Sequence, residues 1–233
     1  MKLEKIGIVH SCFKVKFGTP RQGSLALHSR GYIEIEKRWE ASKSLQGLEE
    51  FSHLWVLFWF HGNTNLTYKP VVRPPRLPAS RVGAFASRSP LRPNPIGLSL
   101  VKLDRIEGSR VYISSLDLIE GTPVLDIKPY IHEYDSVEDS KCGWVENLSP
   151  QKLQVEFTDE AIQQIQSHPY PNLKQTIIDI LSSDIRNRND RSERNTGKIL
   201  GFYFSDLNIL FQTTEGKVRV LKIEGLLADN DHR

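Results

Sequence analysis

The stretch LWVLFWF, Leu54–Phe60, is apolar at every one of its positions. Aromatic and branched residues in a run of this length predict a β-strand. Because both faces of such a strand would be apolar, we expect it to be central in a sheet and buried on both sides. The fold of the surrounding chain therefore has to be built around this strand.

Other short segments before residue 150 are also rich in β-branched and aromatic residues and are separated by turn signals. They are KIGIVH, GYIEIE, VGAFAS, LSLVKLDRI and RVYISSL. The last two predict a hairpin that turns near Glu107-Gly108-Ser109. No amphipathic helix alternates with these strands, which argues against a doubly wound α/β sheet. We therefore expect residues 1–148 to form a mostly β domain, either a small barrel or a strongly bent sheet.

The pattern changes near residue 150, where helical signals precede the strands. TDEAIQQIQSH predicts a helix capped by Thr158. PNLKQTIIDILSSDIR predicts a second helix with one apolar face, formed by Leu173, Ile177, Ile180, Leu181 and Ile185. ILGFYF, LNILFQ and KVRVLKIEG then predict strands, the last two joined across residues 213–216. We expect a smaller α+β domain over residues 151–233, in which the polar segment 184–198 is either a solvated connector or an RNA contact.

The composition excludes several classes of protein. The chain has 233 residues, of which 39% are hydrophobic and 25% charged, as in ordinary globular domains. No apolar run approaches the roughly 20 residues that span a bilayer, and the start MKLEKIGIVH lacks the features of a signal peptide. Two cysteines, Cys12 and Cys142, support neither a disulfide framework nor a zinc site. We expect a cytoplasmic protein without membrane contact or bound metal.

The formal net charge of +3 is unevenly distributed along the chain. From Phe51 to Leu103 there is no Asp or Glu, but there are seven Lys and Arg residues and seven of the 13 prolines. Within this window RSPLRPNPIG, Arg88–Gly97, is neither a helix nor a central strand, because proline fixes φ and lacks an amide donor. Arginines on a proline-stiffened loop predict a preorganised anion site. A solvated basic face is the alternative.

No common catalytic motif is present, so the remaining candidates are isolated polar features. His53 and His61 flank the apolar strand. We interpret His53 as a hydrogen-bonded structural residue, whereas His61, beside Gly62, is better placed for a pocket. The segment LDLIEGTPVLDIKPYI is either a ligand-binding loop or a plain turn, and its charged residues are Asp117, Glu120, Asp126 and Lys128.

Several segments, taken in this order, resemble the TsaA-like, TrmO-type tRNA methyltransferases. They are PRQ, EEFSHLWVLFWFH, VRPPR, VGAFASRSPLRPNPIGLS and GTPVLDIKPY. The resemblance covers residues 5 to about 132, and the C-terminal domain resembles that of the bacterial members. It implies a non-Rossmann β-barrel methyltransferase that forms homodimers, with the active site near the subunit interface. The implied reaction uses S-adenosyl-L-methionine to methylate N6-threonylcarbamoyladenosine at tRNA position 37, giving N6-methyl-N6-threonylcarbamoyladenosine.

The resemblance also implies which residues bind the cofactor. They are Pro20, Arg21, Gln22, His61, Gly62, Arg88, Leu98, Leu118, Ile119, Glu120, Gly121 and Thr122. Arg88 or Arg21 can bind the carboxylate of the cofactor with its planar fork. One residue and one segment depart from the family pattern. Glu120 stands where Asp is usual, and DIRNRNDRSERN replaces an Asp-Pro-Arg-Pro type segment.

Methyl transfer is an in-line displacement, so most of the catalysis is expected from positioning. The accepting nitrogen is ureido-like, and a general base would help to remove its proton. Asp126 and Lys128 are the candidate catalytic residues, because their apolar strand can shift either pKa.

We expect the anticodon loop of the tRNA to lie on the basic surface. The candidate RNA contacts are Arg73, Arg76, Arg92, Asn94 and Tyr130. The alternative is a non-catalytic tRNA-binding module with a nucleotide-binding pocket, although such a module would not need PRQ, HG and LIEGT together. A third class, an anion-binding scaffold protein, would leave the basic segment of the second domain unexplained.

Overall fold

The computed structural model of the protein describes residues 2–62, 67–74, 77, 80–146, 148, 152–186, 190–191 and 196–225. Within these ranges the strands are β1 Gly7–Ser11, β2 Arg30–Ile35, β3 His53–Trp59, β4 Val71–Val72, β5 Val82–Gly83, β6 Ile96–Glu107, β7 Arg110–Ser114, β8 Pro123–Pro129, β9 Gln154–Phe157, β10 Ile199–Phe204, β11 Leu207–Thr214 and β12 Lys217–Gly225. The α-helices are α1 Ala41–Ser44, α2 His132–Asp135, α3 Asp159–Ser167 and α4 Leu173–Ser182.

Six strands form a closed barrel in the order β1-β2-β7-β6-β3-β8. Every neighbouring pair in it is antiparallel. The predicted hairpin joins β6 to β7, with Glu107 opposite Arg110 and Gly108 at a φ of 59°. The interior is filled by apolar side chains with no solvent exposure, among them Val9, Ile33, Leu54, Val56, Val101, Val111 and Ile113. The predicted mostly β, non-Rossmann barrel is confirmed.

The strand β3 is central in the barrel wall but is buried on one face only, which corrects the expectation for Leu54–Phe60. Burial alternates along the strand. A barrel has a single interior, so a strand in its wall buries its inner residues and leaves the outer ones at the surface. The buried residues are Leu54, Val56 and Phe58, and the partly exposed ones are Trp55, Leu57 and Trp59.

Two further expectations about secondary structure were wrong in detail. In VGAFAS only Val82–Gly83 is a strand, and Ala84–Ala86 form a 3-10 helix. The strand partner of this segment is the two-residue β4, so no long ladder is available to extend it. Ile185 lies beyond the end of α4 and does not belong to its apolar face.

The C-terminal part is an α+β unit, as predicted. Its sheet has the order β10-β11-β12-β9, in which β9 is parallel to β12 and the other pairs are antiparallel. Thr158 caps α3, since its hydroxyl accepts a hydrogen bond from the Ala161 amide at 3.2 Å. Among the described residues, no helix is long and apolar enough to cross a membrane.

The segment that follows β1 packs the barrel against the C-terminal sheet. The rings of Phe13 and Phe204 meet edge to face at 5.7 Å, and the Ser205 amide donates to the Cys12 carbonyl at 2.6 Å. Gly18 has a φ of +93°, and a Cβ there would come within 2.6 Å of the Phe202 ring. The segment PRQ begins two residues later at Pro20, so the C-terminal sheet supports the chain that enters the predicted cofactor pocket.

Candidate active site

The strand β6 is longer than its partner β7, and this difference creates the candidate site. Pairing of β6 with β3 extends along residues 96–102, whereas pairing with β7 begins only at Lys102. One edge of the first half of β6 is therefore open to other partners. Gly23 lies against this edge, where a Cβ would collide with the Ser115 carbonyl and lie 3.3 Å from the Leu100 oxygen. Only glycine lets these three backbone segments come together.

Arg88 and Gln22 meet in the candidate site although 66 positions separate them in the sequence. The Arg88 guanidinium donates a hydrogen bond to the side-chain oxygen of Gln22. The Gln22 side-chain amide in turn donates to the Arg21 carbonyl, which fixes its orientation. Because a guanidinium has five N–H donors, the exposed Arg88 keeps further donors for an anionic ligand.

Asp117 places a partly buried carboxylate in the same cluster. The Ser99 hydroxyl of β6 donates to it at 2.5 Å. The amides of Asp117 itself and of Gly23 face the carboxylate, and the charge of Arg88 acts on it. Burial raises the pKa of Asp117, and the hydrogen bonds and the Arg88 charge offset only part of that rise. A carboxyl group perturbed by burial beside a specific cation is typical of functional sites.

The turn Leu118–Thr122 is fixed to β1 and to the residues that follow it. The amides of Glu120 and Gly121 donate to main-chain carbonyls there at 2.7 and 2.9 Å. The Thr122 hydroxyl donates to the Ile119 carbonyl at 2.7 Å and closes the turn. The turn that the resemblance assigns to the cofactor is therefore a rigid element.

His61 and Gly62 lie against this turn. A Cβ on Gly62 would come within 2.8 Å of the Ile119 side chain, and one on Gly121 would lie 3.7 Å from Nε2 of His61. Gly121 also has a φ of +76°, which favours glycine. Nδ1 of His61 is buried and has no hydrogen-bond partner in the described part of the chain. Because such an atom is costly, His61 is a candidate to bind a ligand.

Glu120 has both carboxylate oxygens engaged within the protein. Oε2 accepts from the Ser11 amide at 2.7 Å and from Nζ of Lys14 at 3.3 Å, and Oε1 lies 3.0 Å from Nδ1 of His10. Burial raises the pKa of Glu120, but the Ser11 amide and the Lys14 charge outweigh it and hold the pKa below its ordinary value. Whatever it contributes to cofactor binding, Glu120 anchors the turn.

Arg21 extends toward the C-terminal domain, and Pro20 before it is buried. Nη2 of Arg21 lies 3.5 Å from the Asp184 carbonyl, which also accepts from Arg191 at 2.7 Å. The Asp184 carboxylate binds Arg186 through two hydrogen bonds of 2.8 and 3.2 Å. Of the two arginines considered for the cofactor carboxylate, the geometry favours Arg88.

Leu98, Asp126 and Lys128 lie on the outer wall of the barrel. Leu57 of β3 is paired with Leu98 on one side and with Asp126 on the other, so these two residues are about 10 Å apart. Lys128 binds the Asp126 carboxylate at 2.8 Å, and Oδ1 of Asp126 accepts from the Ile127 amide at 2.9 Å. The hydrogen bond and the charge of Asp126 raise the pKa of Lys128, which keeps this amine protonated and a poor base.

Arg92 stabilises its own proline-rich loop. Its Nη1 donates to the carbonyls of Ala84 and Ser87 at 3.1 and 2.8 Å. Its guanidinium carbon lies 5.6 Å from the centre of the Phe85 ring, within the range of a cation–π interaction. Phe85 is 73% exposed, so a large aromatic surface stands beside this arginine.

The other predicted RNA contacts come from three parts of the chain. Arg73 and Asn94 are exposed, and Arg76 lies outside the described residues. Tyr130 follows β8 and packs edge-on against Trp55 at 5.9 Å on the outer wall. The RNA assignments stay predictions.

The cofactor residues that the resemblance implies do not include Asp117 or Ser99. Asp117 was named only as a charged residue of a segment that is either a ligand-binding loop or a plain turn. The available signal was weak: an ionisable residue between Leu116 and Leu118, both of which prove to be buried. The contact between Asp117 and Ser99 depends on the open edge of β6, which the sequence pattern does not reveal.

Two groups of residues fit the S-adenosylmethionine that the resemblance implies. One is Arg88, Gln22 and Asp117, and the other is His61 with the turn Leu118–Thr122. Arg88 and Gln22 offer donors for a carboxylate, and the unpartnered Nδ1 of His61 offers a polar partner for an adenosine. Gly62 and Gly121 leave room where a Cβ would crowd the pocket wall. The segment 117–121 connects these two groups, since Asp117 at its start faces the Gly23 amide and Gly121 at its end faces His61. In the described residues, no three His, Cys, Asp or Glu side chains are grouped so as to hold a metal ion.

Sequence comparison relates both parts of the chain to one family. Residues 8–136 match the tRNA-methyltransferase O N-terminal domain, and residues 150–226 match the TrmO C-terminal domain. The Escherichia coli (strain K12) protein named tRNA (adenine(37)-N6)-methyltransferase is 36% identical over 230 residues, which cover 96% of this chain and 97% of that protein. A Mus musculus protein of the same name is 56% identical over 135 residues, which cover 57% of this chain and 31% of that protein. The chain spans about a third of the length of the mammalian relatives that it matches.

Comparison with solved structures relates the chain to the same family. A crystal structure of TrmO from Pseudomonas aeruginosa aligns with a TM-score of 0.78 and 33% identity, covering 97% of this chain and 98% of that one. Another crystal structure of TrmO aligns with a TM-score of 0.77 over 97% of this chain and 99% of that one. Both the barrel and the C-terminal sheet are included in these alignments. The chain belongs to the tRNA-methyltransferase O (TrmO) family.

Proposed function

We propose that the protein uses S-adenosylmethionine to methylate the N6 nitrogen of N6-threonylcarbamoyladenosine at position 37 of tRNA. Membership of the TrmO family supports this, as does the name of the Escherichia coli relative, which is similar along nearly its whole length. The observation that carries the proposal is the rigid segment 117–121, which joins the Arg88–Gln22 pair to His61. The proposed units are residues 1–148 for cofactor binding and 151–233 as a possible tRNA contact.

In this proposal the cofactor residues act by holding and orienting. S-adenosylmethionine supplies an activated methyl group when bound. Arg88 binds its carboxylate end, and Gln22 fixes the direction of the Arg88 guanidinium. His61 and the turn Leu118–Thr122 bind the adenosine end, and the hydrogen bonds of the turn to β1 reduce the entropy lost on binding. Pro20, Leu98 and the main chain of Arg21 are proposed to line the rest of the pocket, since the Arg21 side chain reaches the Asp184 carbonyl.

We assign to Asp126 the removal of the proton from the accepting nitrogen. Of the two candidate bases, Lys128 is held protonated by its ion pair with Asp126. A general base has to be unprotonated and within hydrogen-bond reach of the proton that it removes. In this proposal Asp126 is that base, and the Lys128 ammonium, 2.8 Å away, orients its carboxylate.

The acid-free window is proposed to bind the anticodon loop of the tRNA. An uncancelled positive field attracts phosphates, and the window contributes Arg73, Arg76, Arg92 and Asn94. Tyr130 offers an aromatic ring near the Asp126–Lys128 pair for contact with a base.

A homodimer in the cytoplasm completes the proposal. Leu98 is 51% exposed although it is assigned to the cofactor pocket. Trp55, Leu57 and Trp59 are partly exposed on the same outer wall. An apolar surface of this kind is typical of a subunit interface, and a second copy of the chain over Leu98 would complete the pocket.

The test is a methylation assay with substrate tRNA that lacks the modification. The protein is incubated with isotopically labelled S-adenosylmethionine and tRNA from a strain lacking this gene, and the digested nucleosides are analysed by mass spectrometry. We expect labelled N6-methyl-N6-threonylcarbamoyladenosine from wild-type protein and none from tRNA without the threonylcarbamoyl group. Binding of tRNA and cofactor without any labelled nucleoside would instead indicate the non-catalytic binding module.

A further inference from the structure

The Arg88–Asp117 part of the pocket combines two opposite charges that do not touch. The charge of Arg88 acts on the Asp117 carboxylate, yet the two side chains form no ion pair within 4.0 Å, although both lie in the described part of the chain. Arg88 instead donates to Gln22, and Asp117 accepts from Ser99. The two charged groups are held close to each other, because Gly23, next to the Gln22 that binds Arg88, lies against the Ser115 carbonyl, two residues before Asp117.

The Asp117 carboxylate also keeps capacity for another donor. A carboxylate offers about four acceptor positions. The donors that face it are the Ser99 hydroxyl, the Asp117 amide and the Gly23 amide, all of which belong to rigid backbone or to β6. All three of these donors are uncharged, so a cationic donor would gain most from the carboxylate, because burial makes an uncompensated charge costly.

We infer that Asp117 binds the positively charged α-ammonium group of the cofactor's methionine moiety, while Arg88 binds the carboxylate of the same moiety. This inference rests on the proposed function. An amino acid end group carries one cation and one anion on the same carbon, and a separated Asp–Arg pair is complementary to it. Gln22 and Ser99 act as positioning residues, since each orients one of the two charged side chains.

The experiment measures the affinity of three adenosine ligands by isothermal titration calorimetry. The first is S-adenosylhomocysteine, which carries both end groups. The second is 5′-S-(3-carboxypropyl)-5′-thioadenosine, which lacks the ammonium group, and the third is 5′-S-(3-aminopropyl)-5′-thioadenosine, which lacks the carboxylate. Each is titrated into the wild-type protein and into D117N, R88Q and D104N.

The expected pattern is a reciprocal loss. D117N weakens the two ligands that carry the ammonium group by about 10- to 100-fold, as for a hydrogen bond to a charged group, and leaves the carboxypropyl ligand unchanged. R88Q weakens the two ligands that carry the carboxylate and leaves the aminopropyl ligand unchanged. D104N removes a similar pair, in which the Ser114 hydroxyl donates to Asp104 at 2.9 Å, about 17 Å along β6 from Ser99, and changes no affinity.

Other outcomes overturn the inference in distinguishable ways. Equal weakening of all three ligands by D117N would show that Asp117 only supports the pocket. No weakening of any ligand would remove Asp117 from the site, and the proposed function would stand in both cases. Absence of any binding of S-adenosylhomocysteine to wild-type protein would overturn the proposed function together with the inference.

A second variant, S99A, tests the inference even if D117N does not fold. S99A keeps the Asp117 charge but removes the hydrogen bond that orients it. We expect the same selectivity for the ammonium-bearing ligands with a smaller loss, about 3- to 10-fold, because the Asp117 charge stays and only its orientation is weakened. An S99A protein that loses affinity equally for all three ligands would contradict the inference independently of D117N.

Discussion

Replacing Glu120 with Gln should lower the stability of the protein at neutral pH, whatever it does to cofactor binding. The substitution keeps the shape but turns one of the two acceptor oxygens into a donor, which then faces either His10 or the pair formed by the Ser11 amide and Lys14. A hydrogen bond to a charged group contributes about 1.5–3 kcal/mol. Because the Glu120 side chain is 32% exposed, we expect a loss at the lower end, about 1.5 kcal/mol, after discounting for solvent screening.

The loss should depend on pH in a direction fixed by the lowered pKa of Glu120. A carboxyl whose pKa is lower in the folded protein contributes stability above its unfolded pKa, about 4.3 for Glu. That contribution decreases as the pH falls below this value and has disappeared once the pH is below the pKa of the folded protein. The difference between wild type and E120Q should therefore be constant from pH 7 to about pH 5 and shrink below that.

The measurement is thermal unfolding followed by circular dichroism at several pH values between 7 and 3.5. For a chain of this length, 1.5 kcal/mol corresponds to a decrease of about 3–6 °C in Tm. E34Q is the matched control, because Glu34 lies 3.5 Å from the same His10 and 3.4 Å from Arg110 but is 43% exposed. A surface pair of this kind contributes about 0–1 kcal/mol. Equal Tm values for E120Q and wild type at pH 7 would refute the anchoring role.

The remaining predictions concern the RNA surface, the base and the outer wall. Arg73→Ala should weaken tRNA binding and reduce the slope of log K against log salt by about one unit per lost phosphate contact, with unchanged Tm. Arg92→Ala should weaken tRNA binding in the same way and also lower the Tm, because its two carbonyl contacts are lost. Identical salt slopes for wild type and R73A would exclude the phosphate contact. Asp126→Asn should slow single-turnover methylation by about 10²- to 10⁴-fold while Lys128→Met retains most of it, and the reverse result would make Lys128 the base. Leu98→Asp should yield monomers in analytical ultracentrifugation and weaken cofactor binding, and a dimeric L98D protein would place the interface elsewhere.

Much of the fold was predictable because its signals are local. Turn residues and β-branched runs identified the barrel strands β1, β2, β3, β6 and β7 and the hairpin at Gly108, and Thr158 marked the start of α3. The burial of β3 was mispredicted for a non-local reason. The sequence shows that both faces of Leu54–Phe60 are apolar, but only the closed barrel shows that one face is outside.

The residues themselves predicted an anion site on the Arg88 loop and a pocket position for His61, whereas the other assignments in the candidate site came from the family resemblance. The resemblance named Arg88 and Gln22, but no periodicity relates two residues that lie 66 positions apart. It also offered Arg21 as a partner for the cofactor carboxylate, whereas the Arg21 side chain donates a hydrogen bond to the Asp184 carbonyl of the C-terminal domain. Such assignments depend on which segment packs beside which, and this is decided by tertiary contacts.

The length of β6 explains why the site lies where it does. A fully paired barrel wall would satisfy every main-chain group with a neighbouring strand and leave no room for other segments. Since β7 ends at Ser114, opposite Lys102, the chain that follows it runs beside the open half of β6 and brings Asp117 to Ser99. The segment after β1 reaches the same edge through Gly23, and the Arg88 loop reaches it through Gln22. Lengthening β7 by two paired residues would therefore move Asp117 away from Ser99, and we expect such an insertion after Ser114 to abolish cofactor binding while leaving the barrel folded.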